Sequence, residues 1–303
     1  MAGFVPLFGY EADPKGSEKF LASLKTPTLA EAGPALASAD KDTFLGHYLL
    51  KVNPHWQRGA QAIGSCVGWG WSLSVDVLAS CDILLRGDRE SFGGRTIEAG
   101  TYGFSRVEAR GQKSNNGGDG SYGAAAAKAV TRFGTLHYGQ SYDGKVFDKP
   151  SGTLEKEWGR SGVPDELEPY AAQHKVAEVT LVQNFGDVAK AITNGYPVAV
   201  CSNLGFSMTL RDGWLKQMGS WAHCQMILGV RFGDRPGAFV ENSWGDCYDG
   251  TVDAALPVQF QRSGGWVDAD VIDKMLKGDD SYAIAGYTGF EPTQLPNWTD
   301  IYL

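Results

Sequence analysis

The spacing of apolar residues changes near the middle of the chain, and this change restricts the fold more than any other feature of the sequence. In the first half, apolar residues recur at every third or fourth position over Cys66–Leu85, which predicts a helix there. A second helix is predicted over residues 124–133, with Ser121 as its N-cap and Gly134 at its end. The second half instead has short, compact apolar runs, which are typical of β-strands. The sequence therefore predicts an α+β fold in which a helical lobe precedes a β lobe.

The elements of the second half set the expected domain boundaries. Strands are predicted at residues 176–182, 197–202, 224–230, 238–241, 266–267 and 282–287, and helices at residues 186–194 and 268–276. Residues 1–55 contain scattered prolines and are predicted to form an N-terminal arm with a short helix near residues 15–24. We expect one domain over residues 56–290, with its helical lobe over about 56–175 and its β lobe over about 176–290. Residues 291–303 are predicted to form an extended C-terminal tail.

Composition argues against two classes of partner. The net charge of the 303 residues is −8, and a general nucleic-acid binder would normally carry a basic face. No apolar run approaches the roughly 20 residues that a membrane helix needs. The first residues lack the basic and apolar regions of a secretory signal. We therefore expect no nucleic acid and no membrane as partners, and a cytoplasmic location or one within a protein assembly such as a virus particle.

The cysteines are too few and too far apart to hold the fold together. They are Cys66, Cys81, Cys201, Cys224 and Cys247, an odd number without a C-x-x-C pair. This pattern argues against a disulfide scaffold and against a structural zinc site, and it suits a reducing compartment. The sequence therefore predicts neither a metal site nor a cofactor.

One of these cysteines has the surroundings of a nucleophile. Cys66 follows a Gly-Ser turn and begins the first predicted helix, whereas Cys81 lies inside that helix without polar neighbours. The unpaired amide groups of a helix N-terminus stabilise a thiolate, and they also stabilise an oxyanion that forms on an attacked carbonyl. We predict that Cys66 is a nucleophile and that Cys81 is a core residue.

Two later segments supply groups that could serve such a nucleophile. His223 stands at the start of one apolar strand, and Asn242 follows the next strand. If these strands are antiparallel neighbours, both residues lie near the same end of the sheet. A cysteine, a histidine and an amide that orients the imidazole together make a nucleophilic set.

These segments resemble the papain-like cysteine peptidases, family C1. The resemblance is carried by Gly-Ser-Cys66, by His223 before a strand ending in Gly-Val, and by Asn242-Ser-Trp-Gly245, in that family's order. Residues 240–246 are most similar to the bleomycin hydrolase branch. The resemblance covers roughly residues 56–290 and implies a two-lobe fold with the site in the cleft between the lobes. It also implies hydrolysis of peptide bonds through a thioacyl-enzyme intermediate.

The resemblance assigns a role to each matching residue. Cys66 would be a thiolate beside the imidazolium of His223, and Asn242 would orient the ring. Trp244 would shield that hydrogen bond from water at the substrate-binding surface. The backbone N–H of Cys66 and the side-chain amide of Gln61 would form the oxyanion hole.

Other positions match the family less closely. Gly117 and Gly118 resemble the glycine loop that binds the main chain of the substrate. Gln61 stands five residues before the cysteine, where the family usually has six, so Gln57 is a second candidate for the oxyanion hole. Val67 occupies a position where many relatives have tryptophan. The remaining histidines, His47, His55, His137 and His174, are predicted to be surface or structural residues.

Two functions of different classes are compatible with these residues. The first is a cysteine peptidase or amidase that acts on a peptide or protein substrate. The second is a structural or assembly component with a papain-like fold, for example in a virus particle, whose hydrolase activity is secondary or lost. Apolar residues near both ends predict that the arm or tail packs on another subunit. The arm could alternatively fold back onto its own cleft as a short inhibitor. These end residues are Phe4, Leu7, Phe8, Trp298 and Tyr302.

Overall fold

The computed structural model of the chain describes residues 6–37, 40–57, 59–87, 92–112, 118–286, 289 and 295. The helices are α1 (Pro14–Leu21), α2 (Leu29–Ala32), α3 (Gly46–Val52), α4 (Cys66–Leu85), α5 (Glu98–Gly103), α6 (Gly123–Arg132), α7 (Gly152–Ser161), α8 (Glu168–Ala171), α9 (Phe185–Thr193) and α10 (Ala269–Met275). The strands are β1 (Thr43–Phe44), β2 (Ser141–Tyr142), β3 (Lys145–Val146), β4 (Glu178–Leu181), β5 (Val198–Phe206), β6 (Thr209–Leu210), β7 (Gln217–Arg231), β8 (Gly237–Glu241), β9 (Asp249–Gly250), β10 (Gly264–Asp268) and β11 (Tyr282–Ala285). A π-helical segment, Phe104–Ala109, continues α5, and 3-10 turns lie at Asp165–Leu167 and Leu276–Gly278.

An antiparallel sheet forms the β lobe. Its strands lie in the order β10-β8-β7-β5-β11-β4, and β1 pairs with β7 as well. Every pair in this sheet is antiparallel. The predicted α+β fold, with a helical lobe followed by an antiparallel β lobe, is confirmed.

The register of this sheet brings the two polar candidates together. Met226 of β7 lies opposite Glu241 of β8, so Asn242 leaves β8 beside the part of β7 that contains His223. On the other side of β7, Cys224 lies opposite Cys201. The end of β8 and the middle of β7 therefore meet at one site.

Helix α4 is the central helix of the molecule, and its observed bounds are those predicted from its apolar spacing. Most of its residues are buried, and it packs directly against β7. Glycine allows a close approach of the two elements, because a Cβ at Gly70 would lie only 3.1 Å from Sγ of Cys224. This close contact holds the start of α4 against the strand that carries His223.

The N-terminus of α6 is stabilised differently from the prediction. Ser121 does not cap the helix, because its hydroxyl group is hydrogen-bonded to Ser105, at 2.5 Å. The first amide groups, those of Gly123 and Ala124, instead donate to the buried carboxylate of Asp280, both at 2.7 Å. A capping group from a distant part of the chain cannot be recognised from local sequence.

Part of the predicted N-terminal arm belongs to the core. Strand β1 pairs with β7 through Thr43 and Phe44, and Phe44 and Leu49 are completely buried. Among the described residues, no helix is long and apolar enough to span a membrane. Of the predicted C-terminal tail, only Leu295 is among the described residues, and it is buried.

Candidate active site

The site begins at the N-terminus of α4, where Cys66 is the first helical residue. The side chain is completely buried, and its Sγ accepts a hydrogen bond from the backbone N–H of Cys224 at 3.4 Å. The preceding residue, Ser65, donates a hydrogen bond from its hydroxyl group to the buried carboxylate of Glu155 in α7. The nucleophile candidate is thus fixed between the start of α4, strand β7 and a helix of the first lobe.

His223 and Asn242 form a direct contact, as their positions on neighbouring strands predict. Nε2 of His223 lies 2.8 Å from Oδ1 of Asn242, and both residues are buried. Nδ2 of Asn242 donates to the hydroxyl oxygen of Tyr248 at 3.0 Å, which fixes the orientation of the amide. Nδ1 of His223 has no hydrogen-bond partner among the described residues, so it is the ring nitrogen available to exchange a proton.

Trp244 covers this histidine. Its ring stacks on the imidazole of His223 with 4.4 Å between centroids and 28° between planes. Trp221 contacts Trp244 edge-on at 5.0 Å. The two indoles pack beside the His223–Asn242 pair, and the shielding role expected of Trp244 stays a prediction.

Gln61, and not Gln57, has its side chain in this site. Oε1 of Gln61 accepts a hydrogen bond from the hydroxyl group of Ser243 at 2.5 Å, and its backbone N–H donates to the carbonyl of Ser243 at 2.9 Å. Nε2 points toward the cleft, where it donates to the carbonyl of Leu7 at 3.2 Å. Gln57 is exposed, and its backbone carbonyl accepts a hydrogen bond from Arg95.

The cleft is occupied by an extended segment of the chain itself, residues 6–11, which we name the cleft segment. The Leu7 carbonyl accepts hydrogen bonds from Gln61 and, at 3.0 Å, from Nε1 of Trp244. The backbone N–H groups of Gly9 and Tyr10 both donate to the carbonyl of Ala222, at 3.2 and 3.0 Å. The cleft segment therefore makes polar contacts with both walls around the site.

On the helical side the cleft segment pairs with Ser121. The N–H of Glu11 donates to the Ser121 carbonyl at 2.8 Å, and the N–H of Ser121 donates to the Gly9 carbonyl at 2.9 Å. This main-chain pairing is parallel. Among the described residues, the backbone around Ser121 is thus the part of the helical lobe that binds an extended chain.

The closest approach is between Gly9 and the turn before Cys66. A Cβ at Gly9 would lie 1.8 Å from the carbonyl oxygen of Gly64, a distance that no side chain can tolerate. The cleft segment therefore lies directly against the turn that leads into Cys66, and the backbone N–H of Gly9 slightly lowers the pKa of the buried thiol.

Covering the site changes its charge state. Burial raises the pKa of the Cys66 thiol, and the neighbouring Cys224 raises it further, against smaller lowering effects of backbone N–H groups. Burial also lowers the pKa of His223 to about 4, although the hydrogen bond that its ring makes to Oδ1 of Asn242 acts in the opposite direction. Desolvation thus disfavours both charged forms while the site is buried. The expected thiolate–imidazolium pair stays a prediction.

The glycine loop is only partly described. Gly117 lies outside the described residues. The carbonyl of Gly118 accepts a hydrogen bond from Nη2 of Arg106 at 2.7 Å, and a Cβ at Gly118 would meet no other group within 4 Å. Its role in binding a substrate main chain stays a prediction, and the nearby Ser121 is the residue whose main chain is paired here.

The other histidines lie away from this site. His55 and His174 are exposed, whereas His47 and His137 are buried in side-chain packing. The rings of His137 and His174 contact each other edge-on at 4.6 Å. Within the described part of the chain, no three side chains of His, Cys, Asp or Glu are grouped in a way that could hold a metal ion.

Solved structures with the same architecture are cysteine proteases. Xylellain, a cysteine protease from Xylella fastidiosa, superposes with a TM-score of 0.53 at 14% identity and covers 95% of each chain. The chain has the papain-like fold. Procathepsin B S9 from Trypanosoma congolense gives a TM-score of 0.53 at 10% identity over 95% of this chain and 87% of that one. The ragweed pollen allergen Amb a 11, a cysteine protease in its proform, gives 0.51 at 15% identity over 92% and 75%.

Sequence comparison adds no family to this result. No protein-family model matches the chain, and no curated protein is similar to it. At 10 to 15% identity, the three superpositions establish the fold alone.

Sequence reasoning missed several groups in the site. Tyr248 orients Asn242 through a hydroxyl group six residues along the chain, and no motif marks it. Ser121 contributes through its main chain, which every residue type possesses. Glu155 reaches the nucleophile turn from α7 and has no sequence signal near Cys66.

Proposed function

We propose that the chain is a cysteine peptidase or amidase, with Cys66 as nucleophile, His223 as base and Asn242 as the group that orients the imidazole. The observation that carries the proposal is the buried His223–Asn242 hydrogen bond, one residue away from the backbone N–H that contacts the Cys66 thiol. The His223–Asn242 pair is thus linked to Cys66 through the residue that follows His223 in β7. The papain-like fold supports the same reaction class.

Hydrolysis requires the cleft segment to leave. Water and substrate then reach the site, so the burial that disfavours both charges is relieved and the thiol proton can pass to Nδ1 of His223. The thiolate attacks the peptide carbonyl, and the oxyanion is stabilised by the Cys66 N–H and by Nε2 of Gln61. The tetrahedral intermediate collapses to a thioester as the leaving amine takes the proton from the imidazolium. Water, deprotonated by the imidazole, then hydrolyses the thioester.

The form described here is latent under this proposal. Nε2 of Gln61, which would bind the oxyanion, is already bonded to the Leu7 carbonyl, and Cys66 is inaccessible. The interpretation that the arm acts as an inhibitor is therefore preferred to packing of the arm on another subunit. The similarity to the bleomycin hydrolase branch, the cytoplasmic location and the role as an assembly component stay predictions. Three of the end residues that suggested assembly, Phe4, Trp298 and Tyr302, lie outside the described residues.

Loss of a single thiol tests the proposal. Cys66→Ala should abolish hydrolysis of a mixed peptide library, read by mass spectrometry, because no other group can form the thioester. Cys81→Ala, a change to a thiol that is equally buried in the same helix, should retain hydrolysis. Turnover that survives in Cys66→Ala, with the fold intact by circular dichroism, would rule out the proposed nucleophile.

A further inference from the structure

Three buried side chains of one helix hold the loop that pairs with the cleft segment. Tyr102 lies in α5, and Ser105 and Arg106 follow it by three and four residues in the π-helical segment, so the three share one side of the helix. All three are buried. Each is hydrogen-bonded to residues 118–121, which we name the pairing loop because its last residue, Ser121, pairs with the cleft segment.

Arg106 makes two charge-assisted contacts with the pairing loop. Nη1 donates to the carbonyl of Gly120 at 2.6 Å, and Nη2 donates to the carbonyl of Gly118 at 2.7 Å. Arg106 is only 4% exposed, and within the described part of the chain it forms no salt bridge. A buried charge is costly unless it is hydrogen-bonded, and hydrogen bonds from a charged donor are stronger than neutral ones. The two carbonyls therefore satisfy the guanidinium, and the guanidinium in turn fixes the direction of two peptide groups of the loop.

Two neutral contacts complete the support from the helix. The N–H of Gly120 donates to the hydroxyl oxygen of Tyr102 at 2.8 Å. The hydroxyl groups of Ser105 and Ser121 are hydrogen-bonded to each other at 2.5 Å. The helix thus binds the side chain of Ser121 and both main-chain groups of Gly120. The N–H and carbonyl of Ser121 are directed to the opposite side, where they bond to the cleft segment.

We infer that Arg106 is a positioning residue for peptide binding, because it holds the pairing loop with the N–H and carbonyl of Ser121 aligned for an extended main chain. This inference rests on the proposed function, since a peptide substrate would replace the cleft segment and use the same main-chain groups. Without the guanidinium, the carbonyls of Gly118 and Gly120 turn toward water, and the loop has to be ordered each time a peptide binds. The entropic cost of that ordering lowers the affinity. Because Arg106 acts through the loop and not on the reacting atoms, its loss leaves the chemical step unchanged.

The test measures binding, so that it does not depend on hydrolysis. In the full-length Gly9→Val variant, whose added side chain displaces the cleft segment, alkylation of Cys66 by iodoacetamide is followed by mass spectrometry. The competing probe is the blocked hexapeptide Pro-Leu-Phe-Gly-Tyr-Glu, the sequence of residues 6–11. The peptide concentration that protects half of Cys66 should be at least about tenfold higher in Gly9→Val/Arg106→Met than in Gly9→Val. Arg160→Met removes an exposed positive charge from α7 and should leave that concentration unchanged in the same background. Equal protection with and without Arg106 would overturn the inference.

A conservative variant separates this role from a contribution to folding. Arg106→Lys retains the positive charge but lacks the planar fork that reaches two carbonyls at once. Its half-protecting peptide concentration should therefore lie between those of Gly9→Val and Gly9→Val/Arg106→Met. If the methionine variant does not fold, the lysine variant decides, and a peptide affinity equal to that of Gly9→Val would overturn the inference.

The hydrolysis assay supplies a second readout. In Gly9→Val/Arg106→Lys the KM for a peptide should rise while kcat stays within about twofold, because only binding is weakened. A loss confined to kcat would contradict a role in binding. Weaker protection of Cys66 without any peptide hydrolysis by Gly9→Val would support the role of Arg106 and remove the proposed enzymatic function, whereas hydrolysis with unchanged protection would do the reverse.

Discussion

Replacing Gly9 with valine should open the cleft while leaving every side chain of the proposed catalytic set unchanged. The added Cβ would lie 1.8 Å from the carbonyl oxygen of Gly64, whose own position is fixed by the turn leading into α4. The cleft segment is the weaker of the two elements, because it contains no regular secondary structure. We therefore expect this segment to move, and not the turn.

The size of the effect follows from how weakly the cleft segment is held. Six hydrogen bonds made by its main chain join it to the walls of the cleft, and the carboxylate of Glu11 also pairs with Arg110. Each contributes on the order of 0.5–1.5 kcal/mol. Ordering a residue of backbone costs about 1–2 kcal/mol, so over residues 6–11 these two quantities nearly cancel. Burial of Tyr10, worth about 1.5–3 kcal/mol, then supplies much of the net docking energy. If the valine side chain destabilises the docked cleft segment by about 1–3 kcal/mol through overpacking, the fraction of molecules with an open cleft would rise about 5- to 150-fold.

Two assays report the open fraction. The rate of Cys66 alkylation by iodoacetamide at pH 7.5 should rise by about one to two orders of magnitude in Gly9→Val, and peptide hydrolysis should rise in parallel. Ala12→Val also introduces a valine, three residues later at an exposed position, and should leave both rates unchanged. Equal rates for Gly9→Val and the wild type, with both proteins folded, would refute the idea that residues 6–11 control access.

Three more substitutions test the proposed chemistry and the buried carboxylate beside it. His223→Ala should lower kcat/KM of the opened protein about as much as the loss of Cys66 does, because base and nucleophile act as a unit. Asn242→Ala should lower kcat/KM less. Equal losses for His223→Ala and Asn242→Ala would contradict the orienting role of Asn242. Burial raises the pKa of Glu155 from 4.5 to about 7, so its contribution to stability is present below about pH 4.5 and is lost as the pH rises through 7. The free energy of unfolding of Glu155→Gln, measured in urea, should therefore improve relative to the wild type between pH 5 and pH 8, by at most about 3 kcal/mol. Glu157→Gln changes an exposed residue, and its free energy of unfolding should show no such trend. A difference between Glu155→Gln and the wild type that does not depend on pH would contradict the raised pKa of Glu155.

Elements with a strong apolar period could be predicted from the sequence. Helix α4 is found at its predicted bounds because its apolar spacing is uninterrupted over five turns. Strand β7 is longer than the predicted residues 224–230, since its exposed first part, residues 217–220, lacks a compact apolar run and has Met218 as its one large apolar residue. That part is held by main-chain pairing with β5. Main-chain pairing is independent of residue type, and a pattern of side chains therefore does not reveal it.

The same distinction explains the candidate site. Cys66, His223 and Asn242 could be found because the chemistry requires those side chains at the ends of recognisable elements. The position of residues 6–11 could not be derived, because most of their contacts are made by backbone N–H and carbonyl groups. Gly9 carries the one local signal of close approach, and glycine is too common in this chain for that signal to stand out. The sequence offered an arm folded back onto the cleft only as an alternative, without the contacts that position it.

The short connection between the cleft segment and α1 has a consequence for any competing ligand. Helix α1 begins at Pro14, three residues after Glu11, and its Ser17 is hydrogen-bonded to the buried Asp280. A segment tethered this closely to its own binding site acts at an effective concentration in the millimolar range or above. A free peptide with equal intrinsic affinity must therefore reach a comparable concentration to bind half of the molecules. Dilution of the protein leaves this competition unchanged, because the tethered segment is diluted together with its site, and latency should be as complete at nanomolar protein as in a concentrated solution.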